Sequence, residues 1–320
     1  MQFICPKCKE PLAIPLNQSE IQDGVIVSSC GEEYQILDNI PRFVPIENYA
    51  TSFGLQWNTH ARTQLDSFTG RTLSRDRFFT TTQWPERMDG ELILEGGCGA
   101  GRFTEVVAQT GARVFSFDLS RSVEGNYESN KRFENVTIFQ ANIFHIPMTE
   151  ASFDRVFCFG TVQFTPDPKR AFMSLVSMLK PGGKIVIDAY GGGNRKIPWN
   201  TTHFIRPITK RMPPKTLYTM VEKSVPYLLP FKRRLRTLGK PGRFLSYYVP
   251  VVDDREKFGL EDEQSIEWSI LNTYDTLAPH YINTQTVESV RAWFEEAGLE
   301  DIWVGKGANG VNARGTRPKV

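Results

Sequence analysis

The sequence predicts an α/β protein built on a parallel sheet, and three observations predict it. Short apolar runs alternate with helical periodicities from about residue 85 to 190. One of those runs passes straight into a glycine-rich turn and then a helix. A last helical pattern and two strand-like runs restore the rhythm over residues 284–320.

The elements follow in order. Glu91-Leu92-Ile93-Leu94 reads as a buried strand that stops at Glu95-Gly96-Gly97-Cys98-Gly99-Ala100-Gly101. Phe103, Val106 and Val107 share a face of the next helix, and Gly111 stops it. Residues 114–118, 136–139 and 155–159 are the next three strands. Phe172, Leu175, Val176 and Leu179 have the i, i+3, i+4, i+7 spacing of an amphipathic helix, closed by Lys180-Pro181-Gly182-Gly183. Residues 184–188 form the fifth strand. Val290, Trp293, Phe294 and Ala297 mark a final helix, N-capped by Thr286, before strands at 302–304 and 311–314.

Composition sets the limits. The chain has 320 residues, 40% of them apolar and 12% aromatic, which excludes global disorder. The formal charge of +2 decides nothing about partners. No apolar run reaches the length of a bilayer span, and the start lacks the zones of a secretory signal. Five unevenly placed cysteines argue against a disulfide framework, so a reducing, cytoplasmic setting is expected.

The glycine turn carries the first chemistry. Glycines let backbone N–H groups approach a ligand with no Cβ in the way. Asp118 lies 17 residues past Gly101 at a strand end, where a carboxylate can accept from two ribose hydroxyls. A dinucleotide fingerprint would need a third glycine where Arg102-Phe103 stands.

Residues 92–103 resemble motif I of the class I S-adenosylmethionine-dependent methyltransferases, in particular the UbiE or type 11 kind. The stretch 142–147 with 152–154, and the stretch 167–183, are similar to two further motifs of that family, in the same order. The resemblance implies a Rossmann-like, doubly wound, seven-stranded sheet and S-adenosyl-L-methionine as methyl donor. It implies that Glu95 and the loop Gly97, Cys98, Gly99 and Gly101 hold the methionine end. Asp118 would take the ribose and Asn142 with Ile143 the adenine, and Leu119 and Phe159 would also belong to the donor site. Asn142 departs from the family's usual Asp, although an amide oxygen still accepts.

A hydroxyl acceptor needs a base. Gln163-Phe164 lacks the histidine the family often carries there, which leaves His203, His280, Tyr190 and Asp275 as catalytic candidates. The sequence divides into a head at 1–45, cap helices at 46–84, a methyltransferase core at 85–190 plus 284–320, and an α-rich substrate cap at 191–283. In the head, Cys5-Pro6-Lys7-Cys8 and Cys30 resemble a degenerate zinc ribbon, with structural zinc on Cys5, Cys8 and Cys30 and the fourth ligand missing.

Between residues 206 and 243 the cap holds 11 Lys or Arg and one acid, Glu222, with acids concentrated just beyond. A solvated face paired with those acids and an anion-binding lid both fit that pattern. The expected acceptor is a small molecule or glycan, open to a phosphate-bearing one. RNA methylation, a non-catalytic donor-binding subunit and peripheral membrane contact are the alternatives.

Overall fold

The computed structural model describes residues 1–45, 48–192, 201–307 and 309–319, with only the backbone of His203 and Lys257. Three short strands open the chain: β1 (Gly24–Val27), β2 (Glu33–Leu37) and β3 (Ile40–Arg42). Helices α1 (Thr51–Thr59), α2 (Asp66–Thr69) and α3 (Leu73–Thr82) precede β4 (Leu92–Gly96), the central strand. Next come α4 (Arg102–Ala108), β5 (Arg113–Asp118), α5 (Ser122–Asn130), β6 (Val136–Gln140) and β7 (Phe153–Phe159). After α6 (Pro168–Ser177) and β8 (Leu179–Tyr190) the chain enters a helical insertion. It closes with α12 (Val287–Glu296), β9 (Glu300–Lys306) and β10 (Gly310–Thr316).

The strands form one sheet in the order β1-β2-β3-β6-β5-β4-β7-β8-β10-β9. Strands β6 to β8 run parallel, and β10 enters antiparallel between β8 and β9. These seven strands are the predicted Rossmann-like sheet, with the chain reversing direction across β4. The whole sheet has ten strands, because the head adds three at the β6 edge through the Arg42–Gln140 pairing. Phe3 of the head stacks on Phe43 at 5.6 Å and meets Phe139 of β6 edge-on at 5.3 Å. The head therefore covers an edge strand that would otherwise expose its backbone groups.

Two elements differ from the sequence reading. The Lys180-Pro181-Gly182-Gly183 turn lies inside β8, with Gly182 at φ +80° and a register irregularity between Phe153 and Arg155. Helix α6 ends before it, at Ser177, and starts where Asp167 accepts from the Arg170 N–H ahead of a proline at the first helical turn. Thr286 caps α12 as expected, in a reciprocal box with Ser289.

The insertion is helical: α7 (Thr201–Thr209), α8 (Pro214–Arg236), α9 (Gly239–Ser246), α10 (Arg255–Phe258) and α11 (Asp262–Leu277). Leu217, Val221, Val225 and Leu229 repeat every four residues along α8 and pack on Ile270, Tyr274 and Leu277 of α11. Part of the predicted acid–base pairing is present. Arg233 and Arg236 both reach Asp253 at 2.9 Å, and buried Lys232 donates to the Val249 carbonyl at 3.3 Å.

Candidate active site

Strand β4 delivers the glycine loop to the C-terminal edge of the sheet, where α/β proteins bind their ligands. Gly97, Gly99 and Gly101 have φ of +74°, +53° and +86°. The N–H groups of Gly97 and Cys98 donate to the Phe117 carbonyl at 2.8 and 3.0 Å, folding the loop back over β5. A Cβ on Gly97 would lie 2.3 Å from the Thr161 side chain, so only glycine lets the loop pass there. Gly101 packs α4 on α5, with Asn126 Oδ1 2.1 Å from where its Cβ would be.

Asp118 is tied to that loop. Its Oδ2 accepts from Gly99 N at 3.1 Å, and its Oδ1 accepts from Ser120 N and Oγ, both at 2.8 Å. Burial raises its pKa, against the lowering by these donors. Glu95 takes a different position from the one expected. Its side chain lies under the loop, 2% exposed, accepting from Thr104 Oγ1 at 2.5 Å and from Ser116 Oγ. Burial pushes it up to about 7 even though both hydroxyls stabilise the carboxylate. It props the loop from below and does not line the cavity above it.

That cavity has a volume of about 410 Å³. Gly97, Cys98, Gly99, Asp118 and Leu119 form its floor, with Ile143 and Phe159 at the sides. Gly101 and Asn142 stand off it. The Asn142 Oδ1 accepts from Phe144 N at 3.0 Å and shapes the turn, while its neighbours Ala141 and Ile143 face the space. Phe53 and Trp57 of α1 close one wall, with Phe53 against Phe164 at 4.9 Å.

The roof comes from the insertion and from β8. Tyr190 Oη donates to Asp275 Oδ2 at 2.9 Å, and both side chains line the cavity. Burial lifts Asp275 to about 6, against hydrogen bonds from Tyr190 and Gln56 that lower it. Burial and the adjacent carboxylate hold the Tyr190 phenol well above its ordinary value. The sequence named these two residues separately; the fold makes them a pair. His280 is exposed, its ring 4.7 Å from Tyr281, and is not among the lining residues. The His203 side chain lies outside the described residues. Gln163, where the family often has histidine, is buried with neither amide atom hydrogen-bonded.

Two arginines in the wall were not singled out from the sequence. Arg77 forms an ion pair with buried Asp188 at 2.8 Å and lies over the rings of Phe103 and Phe159. Arg102 donates to Gln64 Oε1 at 2.6 Å and Ser74 Oγ at 3.1 Å, and among the described residues no carboxylate lies within ion-pair distance. Burial, then the Arg77 charge, lowers it to about 9. Its place directly after Gly101 was a usable signal; Arg77, 20 residues before the loop, had none.

In the head, the sulfur atoms of Cys5, Cys8 and Cys30 all lie within 4.8 Å of one another. The Cys5–Cys30 separation of 3.8 Å is what two thiolates about 2.3 Å from a tetrahedral zinc would show. Burial works against the Cys5 thiolate, but donors including Cys8 N and the Tyr34 hydroxyl bring it down to about 6. The trio can supply three zinc ligands, and no fourth His, Cys, Asp or Glu joins it among the described residues.

Comparison with known proteins matches residues 94–187 to the family described as "Methyltransferase domain". The ubiquinone biosynthesis O-methyltransferase of Coxiella burnetii is 30% identical over 100 residues, which cover 31% of this chain and 43% of that protein. Its counterpart in Xanthomonas euvesicatoria is 31% identical over 108 residues, with the same coverage. The chain thus spans less than half the length of these curated relatives. A putative S-adenosyl-L-methionine-dependent methyltransferase structure from Methanococcus maripaludis has a TM-score of 0.46 at 14% identity, covering 86% of this chain and 96% of that one. The matched stretch runs from within β4 through the glycine loop and Asp118 into β8, and the chain bears the core domain of a class I S-adenosylmethionine-dependent methyltransferase.

Proposed function

We propose that the chain moves a methyl group from S-adenosyl-L-methionine to an oxygen or nitrogen of a small-molecule or glycan-like acceptor. One observation carries the reading: a single cavity has the glycine loop and Asp118 as its floor and the Tyr190–Asp275 pair in its roof. The curated relatives are named as O-methyltransferases, which favours oxygen.

The residues present suit the donor. Asp118 keeps lone pairs for ribose hydroxyls after its bonds to Gly99 and Ser120. Arg102, without an acidic partner, suits the methionine carboxylate. The donor supplies an activated methyl on a sulfonium, so the protein's work is alignment and proton removal. Tyr190 and Gln56 orient the Asp275 carboxylate, which keeps further lone pairs to take the acceptor's O–H proton. With the donor bound, loss of that proton to Asp275 would let the acceptor oxygen bond the methyl carbon while the S–CH₃ electron pair returned to sulfur.

The test is methyl transfer from labelled donor to a panel of hydroxylated and amino acceptors, run on the native chain and on Tyr190→Phe. Transfer that weakens in the variant supports the pair's role. Donor binding without turnover of any acceptor would support the non-catalytic reading.

A further inference from the structure

The outer surface of the insertion has an unusual composition for a solvated face. Ten of the seventeen large apolar side chains left exposed among the described residues lie between residues 204 and 248. Along α8, Met220, Tyr227 and Phe231 fall on one stripe, at spacings of seven and four, opposite the buried Val225 and Leu229. Tyr227 is 80% exposed. Leu238, Leu245 and Tyr247, in and beside α9, are exposed as well. Monomeric proteins seldom leave so much large apolar surface together unless something covers it.

The charges around it decide what does. Arg211, Lys215, Lys223, Arg234, Lys240 and Arg243 are exposed over the same segment, against one exposed acid, Glu222. Lys223 and Arg234 continue the α8 stripe itself. Asp253, just beyond this segment, is already paired with Arg233 and Arg236 and does not offset this excess.

We infer that the 204–248 surface docks on an anionic lipid membrane, with the apolar stripe entering the interface and the flanking cations meeting headgroups. A second copy of the chain fits poorly, because a symmetric contact would bring six cations against six. Single-stranded RNA would use the aromatic rings for stacking but leave Met220, Leu238 and Leu245 without a role. Helix α8, which bears the stripe, packs directly on α11, which bears Asp275. Membrane contact would therefore be made by the helix that packs on the element roofing the cavity. The inference concerns the outer face alone and does not rest on the proposed reaction.

The test sediments the full chain with vesicles of phosphatidylcholine alone or with ~30% phosphatidylglycerol. Binding is expected on the anionic vesicles and not on the neutral ones. Tyr227→Ser with Phe231→Ser should weaken it about tenfold, and Lys240→Glu with Arg243→Glu by at least that. Circular dichroism and S-adenosylhomocysteine titration run beside each variant check its fold independently. Three results would overturn the inference: no partition by folded protein, partition indifferent to both double variants, or a dimer in solution that the Tyr227/Phe231 variant dissolves. RNA binding with no vesicle binding would overturn it as well.

Discussion

The floor and the roof of the cavity are built by opposite means. The floor is made within about 25 consecutive residues, where β4, the glycine loop and the end of β5 position one another through the backbone. The roof joins residues far apart in the chain: Tyr190 on β8 meets Asp275 on α11 across 85 positions. A floor set by backbone geometry tolerates almost no change of shape. A roof set by side chains can vary its chemistry while the donor stays in place, which suits a fold that serves many acceptors.

Substitutions can break that contrast. The largest effect should come from Asp275→Asn, which keeps the contact with Tyr190 but removes the proposed base. Turnover should fall by about 10²–10⁴, with affinity for S-adenosylhomocysteine unchanged. In the native protein the rate should rise through a pH near 6, because the carboxylate forms there, and that limb should vanish in the variant. Gly97→Ala should act on the floor, since its Cβ would collide with Thr161 at a positive φ. The expected loss of stability is about 2–4 kcal/mol, read from denaturant unfolding.

Arg102→Gln sharpens the comparison within the floor. Loss of a charge-assisted pair should weaken S-adenosylhomocysteine by roughly 10- to 100-fold. Binding of methylthioadenosine, which lacks the amino-acid carboxylate, should not change. Equal loss for both ligands would mean that Arg102 serves only Gln64 and Ser74.

The smallest effect concerns Glu95. Its pKa lies above the unfolded value, so the folded state binds the extra proton between about 4.5 and 7. That stabilisation is complete at low pH and is lost as pH rises through about 7. Glu95→Gln should thus be more stable than the native chain at pH 8, by about 1–3 kcal/mol, with the advantage shrinking toward pH 5. An advantage that is the same at both pH values would show that the carboxylate is not the buried acid described.

The difference between floor and roof also explains what the sequence could reveal. Strand runs, the glycine turn and Asp118 are local patterns, each with a physical reason to occupy its place, and they appear where the reading put them. Glu95 was legible as an acid at a strand end, but its direction depended on Thr104 and Ser116, which only the packing of α4 and β5 brings beneath it. Tyr190 and Asp275 were visible as residues and not as a pair, because no local pattern couples β8 to α11. The head looked like a separate module because its cysteines dominate its sequence. Phe3, Tyr34, Ile36 and Phe43, which join it to the main core, are ordinary apolar residues until the sheet edge is known. Arg77 had no signal at all, since its partner Asp188 is 111 residues away.

The central claim is that the floor holds the donor and the roof serves the acceptor. Calorimetric titration with S-adenosylhomocysteine, run on the native chain, Asp118→Ala and Asp275→Asn, tests it most directly. Micromolar binding is expected in the native chain and in Asp275→Asn, with a loss of about 100-fold or more in Asp118→Ala, as two charge-assisted hydrogen bonds disappear. No binding by folded native protein, or equal losses in the floor and roof variants, would contradict the account.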